Sequence, residues 1–127
     1  MMRKLVAVTW VFILVACASG VGETGTGRDR NLITLDEIDA TRATNALDLV
    51  QQLRPNWLRG RGPVSIGRNT PDLPVIYVDG IRSGDPNALE RVAAQIVFEI
   101  RYLAGPDASQ RFGLDHAGGA ILVNTRR

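Results

Sequence analysis

The chain has a single cysteine, a single histidine and a single lysine in 127 residues, and aromatic residues make up only 6% of it. One cysteine, Cys17, excludes an internal disulfide framework. One histidine, His116, with Asp115 beside it and no cysteine nearby, does not supply the nitrogen and sulfur ligands of a zinc site. It reads as a loop residue ahead of Gly118-Gly119, and neither a metal nor another cofactor is expected. No sign of charge dominates: of the 15 Lys and Arg, Arg3 and Lys4 precede the first apolar run, and the remaining 13 balance 13 Asp and Glu. The formal charge of +2 thus belongs to the N-terminus alone. A nucleic-acid partner, which calls for a basic face, is not expected. No apolar run is long enough to cross a bilayer, since Leu5–Ala16 falls well short of the roughly 20 residues such a helix needs. A Gly-x-Ser-x-Gly elbow and a phosphate-cradling Gly-x-x-x-x-Gly-Lys loop are also missing.

What the N-terminus does have is a basic start, a short apolar run and the string Leu14-Val15-Ala16-Cys17. This is similar to a bacterial lipoprotein signal peptide. The resemblance implies cleavage after Ala16, a diacylglycerol on the Cys17 thiol and a further acyl chain on the new N-terminus. Two or more chains anchor stably, at about 0.8 kcal/mol per buried methylene. Residues 1–16 are therefore expected to be removed and to play no part in the fold. Ala18, and not aspartate, follows the cysteine, which by resemblance to lipoprotein sorting implies the outer membrane, facing the periplasm. Residues 17–31, with Gly20, Gly22, Gly25 and Gly27, read as the lipidated cysteine and a flexible tether.

A single small domain is expected over 32–127. Leu32–Leu35 reads as a short strand. Ala43, Ala46, Leu47, Val50 and Leu53 form one helical stripe, with Thr41 or Asp39 as its cap and Pro55 as its stop. Trp57 reads as a lid on that stripe, and the Gly/Pro/Arg-rich stretch to Pro74 as loop. Val75–Val78 is a buried strand ended by the turn pair Asp79-Gly80. Asn87–Ala94 reads as a short helix and Val97–Leu103 as a strand with Phe98, Ile100 and Tyr102 on one face. Asp107–Arg111 reads as one helical turn and Ala120–Thr125 as a last strand. The fold class is α+β: a small mixed sheet with two short helices.

Three motifs in this order carry a second resemblance. They are Val75-Ile76-Tyr77-Val78-Asp79-Gly80, then Ile100-Arg101-Tyr102-Leu103-Ala104-Gly105-Pro106, then Phe112-Gly113 followed by Ala117-Gly118-Gly119-Ala120 and the strand to Thr125. From Leu32 onward the chain resembles the plug domain of TonB-dependent outer-membrane receptors. That resemblance implies structural roles for Asp79, Gly80, Gly105, Pro106, Gly113, Gly118 and Gly119. The chain departs from the family in four ways: no series of alternating barrel segments follows, the tether holds no energy-coupling box, Glu99 and Arg101 exchange the family's charges, and Ala104 replaces a usual basic residue. The expectation is a non-enzymatic, lipid-anchored binding module associated with envelope transport or assembly. Its partners would be the outer-membrane lipid through Cys17 and an envelope protein or barrel receptor. Two other readings stay open: a structural remnant of a receptor that transports nothing, and a small hydrolase using Asp79, Asp115 and His116. For ligand binding the candidates are Arg59, Arg61, Arg68 and Arg82, whose planar forks suit carboxylates, phosphates or sugar acids.

Overall fold

The computed structural model describes residues 28–60 and 72–127. Cys17, the leader, the tether up to Gly27, Arg61 and Arg68 lie outside the described residues. Five strands form one sheet in the order β1-β4-β5-β2-β3. They are β1 (Leu32–Ile33), β2 (Val75–Val78), β3 (Ile81–Gly84), β4 (Val97–Leu103) and β5 (Ala120–Thr125). The β2–β5 pair is parallel and the other three pairs are antiparallel, so the sheet is mixed. Three α-helices pack on it, α1 (Leu35–Ala40), α2 (Ala46–Leu53) and α3 (Gly105–Phe112), together with 3-10 turns at Pro55–Leu58, Pro86–Arg91, Ala94–Ile96 and Leu114–His116. The architecture is the small α+β domain that the strand and helix patterns indicate. No helix among the described residues is long and apolar enough to cross a membrane.

Strand alternation gives each face its own core. Ile33, Ile100 and Val123 lie side by side across three strands and pack with Ile38 of α1 and Leu49 and Val50 of α2. On the opposite face Tyr77 and Ala120 pack with Ala108 of α3. The hairpin between β2 and β3 turns through Asp79 at φ 48° and Gly80 at φ 82°. A two-residue turn matched to the twist of its strands needs positive φ at both positions, which Asp and Gly adopt more readily than other residues. Both sheet edges are short. β1 has two residues, and β3, wholly exposed, has an irregular register opposite Ile76/Tyr77. Short, bulged and charged edges resist pairing with a second chain.

Several local expectations change. The second helix starts at Ala46, not before Ala43, and its cap is neither Thr41 nor Asp39 but Asn45, whose Oδ1 accepts the Asp48 amide at 2.9 Å. Leu35 belongs to α1 and not to the first strand, because Glu37 folds back to accept the Thr34 amide at 3.2 Å and starts a helix there. The segment expected as a helix over Asn87–Ala94 is a 3-10 turn over Pro86–Arg91. The third helix runs two turns, from Gly105 to Phe112, so Gly105-Pro106 opens a helix as well as ending a strand. A register shift between Val97 and Glu99 breaks the alternation of β4. Phe98 consequently lies 49% exposed and does not share the buried face of Ile100.

Candidate functional site

The motif residues meet at the joints of the sheet. Thr125 donates its amide and its hydroxyl to the Asp79 carboxylate at 2.8 and 2.7 Å, while the Asp79 amide donates to Val123 O at 2.9 Å. The turn thereby clamps the end of β5. The Thr125 hydroxyl, and then its amide, hold the Asp79 carboxyl below its ordinary range. Gly118 and Gly119 precede β5 where backbone passes against backbone: a Cβ on Gly118 would stand 2.5 Å from Leu73 O, and one on Gly119 2.6 Å from Leu103 O. Gly105 leaves the same kind of room for the Ala117 carbonyl, with Pro106 in the first turn of α3. Gly113, at φ 107°, ends that helix.

His116 is not a surface loop residue. It is 1% exposed, the one buried polar residue in the described core. Its Nε2 lies 2.8 Å from Tyr77 Oη and its Nδ1 lies 2.9 Å from Gly113 O. A carbonyl can only accept, so Nδ1–H donates to Gly113 and a neutral ring leaves Nε2 to accept from the tyrosine hydroxyl. Tyr77 stacks on Phe112 at 4.3 Å between centroids, and His116 stacks on Tyr77 at 5.9 Å. Sequence reasoning missed this pillar because its two halves are 39 residues apart. Asp115 is exposed, and none of Asp79, Asp115 and His116 hydrogen-bonds another. No group of three or more His, Cys, Asp or Glu able to hold a metal occurs among the described residues.

A third arrangement gathers around β1, and its Tyr102 hydroxyl reaches Gly118 O at 3.5 Å. Residues 29–31, ahead of β1, are bonded to the rest of the domain. Arg54, at the end of α2, reaches Asp29 O (3.2 Å) and Leu32 O (3.1 Å) through Nη2, which also contacts Glu37 Oε1 (3.1 Å) and Oε2 (3.3 Å). The Trp57 indole N–H donates to Arg30 O at 3.1 Å, and the Tyr102 amide donates to Asn31 O at 2.8 Å. Every carbonyl from Asp29 to Leu32 is thus pinned, and the four residues form a strap across the edge of the sheet. Trp57 and Tyr102 stack beneath it, centroids 5.5 Å apart and 16° from parallel. Trp57 is buried, as a lid over the helical stripe would be, and it joins the main core. Between strap and aromatic pair opens a pocket of about 310 Å³, walled by Leu53 and Pro55 as well.

The candidate arginines do not gather there. Arg59 follows the 3-10 turn of Trp57, beside the β1 edge, whereas Arg82 lies on β3 at the opposite edge; both are exposed. The cations at the pocket are instead Arg30 and Arg54. Comparison of the chain with protein-family models, with curated proteins and with solved structures finds no match.

Proposed function

We propose that the protein is a lipid-anchored, plug-like binding module of the outer membrane that performs no chemistry of its own. The observation that carries this reading is where the motif residues lie. Asp79-Gly80, Gly105 and Gly118-Gly119 all serve close backbone joints or a clamped turn around β5, which is what a resemblance in fold rather than in chemistry requires. The groups that a hydrolase would use are committed elsewhere: Asp79 to Thr125, and both ring nitrogens of His116 to Tyr77 and Gly113. In this reading a barrel receptor or another envelope protein is the partner, and acyl chains on Cys17 supply the hold on the membrane.

Fractionation of envelopes tests it. The native protein is expected in the outer membrane with radiolabelled palmitate incorporated, and the Cys17→Ser variant in the soluble periplasm or uncleaved at the inner membrane. An unlabelled protein, or a variant that still fractionates with the outer membrane, would refute the anchor. Cross-linking in intact cells should capture an outer-membrane barrel protein; failure to capture any envelope protein counts against the partner.

A further inference from the structure

We infer that the pocket between the Asp29–Leu32 strap and the Trp57–Tyr102 pair binds a small planar anion, a flat aromatic ring bearing a carboxylate. A volume of about 310 Å³ is at the small end for ligand sites, which suits a compact ring and not a peptide. The wall is apolar and aromatic, and Tyr102, half-buried, presents a ring already aligned with Trp57 on which a third ring can continue the stack. Three polar side chains line the same space: Arg30, Asn31 and Asn56. None of the three makes a side-chain hydrogen bond or ion pair with another described residue.

Arg54 is not the anion's partner, because its guanidinium is taken up by Leu53 O, the strap carbonyls and Glu37. Its work is to position Arg30. The guanidinium of Arg30 is the one at the pocket without a partner among the described residues, and its fork matches a carboxylate in two parallel hydrogen bonds. The two amides can donate to the same anion or to a ring substituent. The strap is held in place before any ligand arrives: the indole N–H that belongs to the stack fixes the Arg30 backbone, and Tyr102 N–H fixes that of Asn31. Prior ordering of this kind reduces the entropy lost on binding. The site belongs wholly to the folded domain and does not depend on lipidation, on the plug likeness or on a protein partner, so its failure would leave those readings standing.

Amide-resolved NMR titration of the full-length protein in non-ionic detergent tests the inference, with 2-naphthoate as the probe and the uncharged 2-naphthamide as its control. The acid is expected to shift saturably the amides of Arg30, Asn31, Asn56 and Tyr102, and to bind about tenfold more tightly than the amide, the scale of one charge-assisted contact. Arg30→Gln, a change at an exposed position, should weaken 2-naphthoate binding about tenfold and so abolish that preference. Equal affinity for acid and amide, an undiminished preference in Arg30→Gln, or shifts elsewhere than around the strap would each overturn it. So would the absence of any saturable shift at millimolar probe.

Discussion

Replacing Arg54 with methionine keeps the aliphatic stem and removes the guanidinium that ties α2 to the strap. The side chains of Arg54 and Glu37 are 14% and 11% exposed, so their pairing is largely shielded from water. Removing one member of a fully buried pair costs about 3–5 kcal/mol, and removing a surface pair costs under about 1 kcal/mol. Nη2 shares its two hydrogens among four acceptors, so each of its bonds is weaker than an unshared one, and the environment lies between these limits. A loss of about 2–3 kcal/mol is expected for Arg54→Met. With a urea dependence of about 1.5–2 kcal/mol per molar, the midpoint should fall by roughly 1–2 M. Glu37→Gln alone should cost about 1 kcal/mol, because Glu37 also accepts the Thr34 amide and contacts Arg28 at 3.3 Å. The double variant should lose about 1 kcal/mol less than the sum of the singles, the signature of a direct contact. Urea unfolding followed by circular dichroism on the domain from residue 28 measures all three. A loss below about 0.5 kcal/mol for Arg54→Met, or strict additivity, would show that the strap is not held by this arginine.

Three further perturbations probe the other joints. Gly118→Ala places a methyl against two backbone carbonyls that cannot rotate away, so thermal melting should reveal a loss of about 3 kcal/mol or failure to fold. Tyr77→Phe leaves His116 Nε2 buried without a donor and should cost about 1–3 kcal/mol by urea titration, with the His116 ring resonances shifting in NMR. Asp79 has its carboxyl lowered on folding, so the stability it adds is present above the unfolded carboxylate pKa, about 3.9, and is lost as pH falls through the lower folded value. Asp79→Asn, which tolerates the same positive φ, should be less stable than the native protein at pH 7, and the gap should close as pH falls below the ordinary carboxylate range.

The elements that could be read from residues are those whose cause is local. Val75–Val78 and Ala120–Thr125 are β-branched runs with Asp79-Gly80 and Gly118-Gly119 at their ends, and both form strands at those bounds. The hairpin turn follows from the same pair, although the exposed strand after it, Ile-Arg-Ser-Gly, has no alternating pattern to announce it. The bulge in β4 was out of reach because a register shift is set by the neighbouring strand, not by the sequence of the strand itself. The cap of α2 competed with two plausible alternatives, and tertiary contact decided: Ala46 N bonds Val92 O, which fixes where the helix begins. Sites were harder still. The His116 pillar and the strap pocket both join residues distant in sequence: the β1–β4 pairing brings Arg30 and Asn31 to Tyr102, and the Trp57–Tyr102 stack brings Asn56.

The central position of β5 has a consequence in time. Among the described strands it is synthesised last, yet it lies between β4 and β2 and is the only link between the β1–β4 ribbon and the β2–β3 hairpin. Until Ala120 to Thr125 has emerged, the chain holds two separate two-stranded pieces, and such ribbons are at best marginally stable in water. Both apolar cores stay open for the same interval, because Ile121 and Val123 close one face and Ala120 the other. The domain therefore cannot fold progressively from its N-terminus. Closure of the sheet and of both cores waits instead for β5, so the described strands assemble around the last of them and not in chain order.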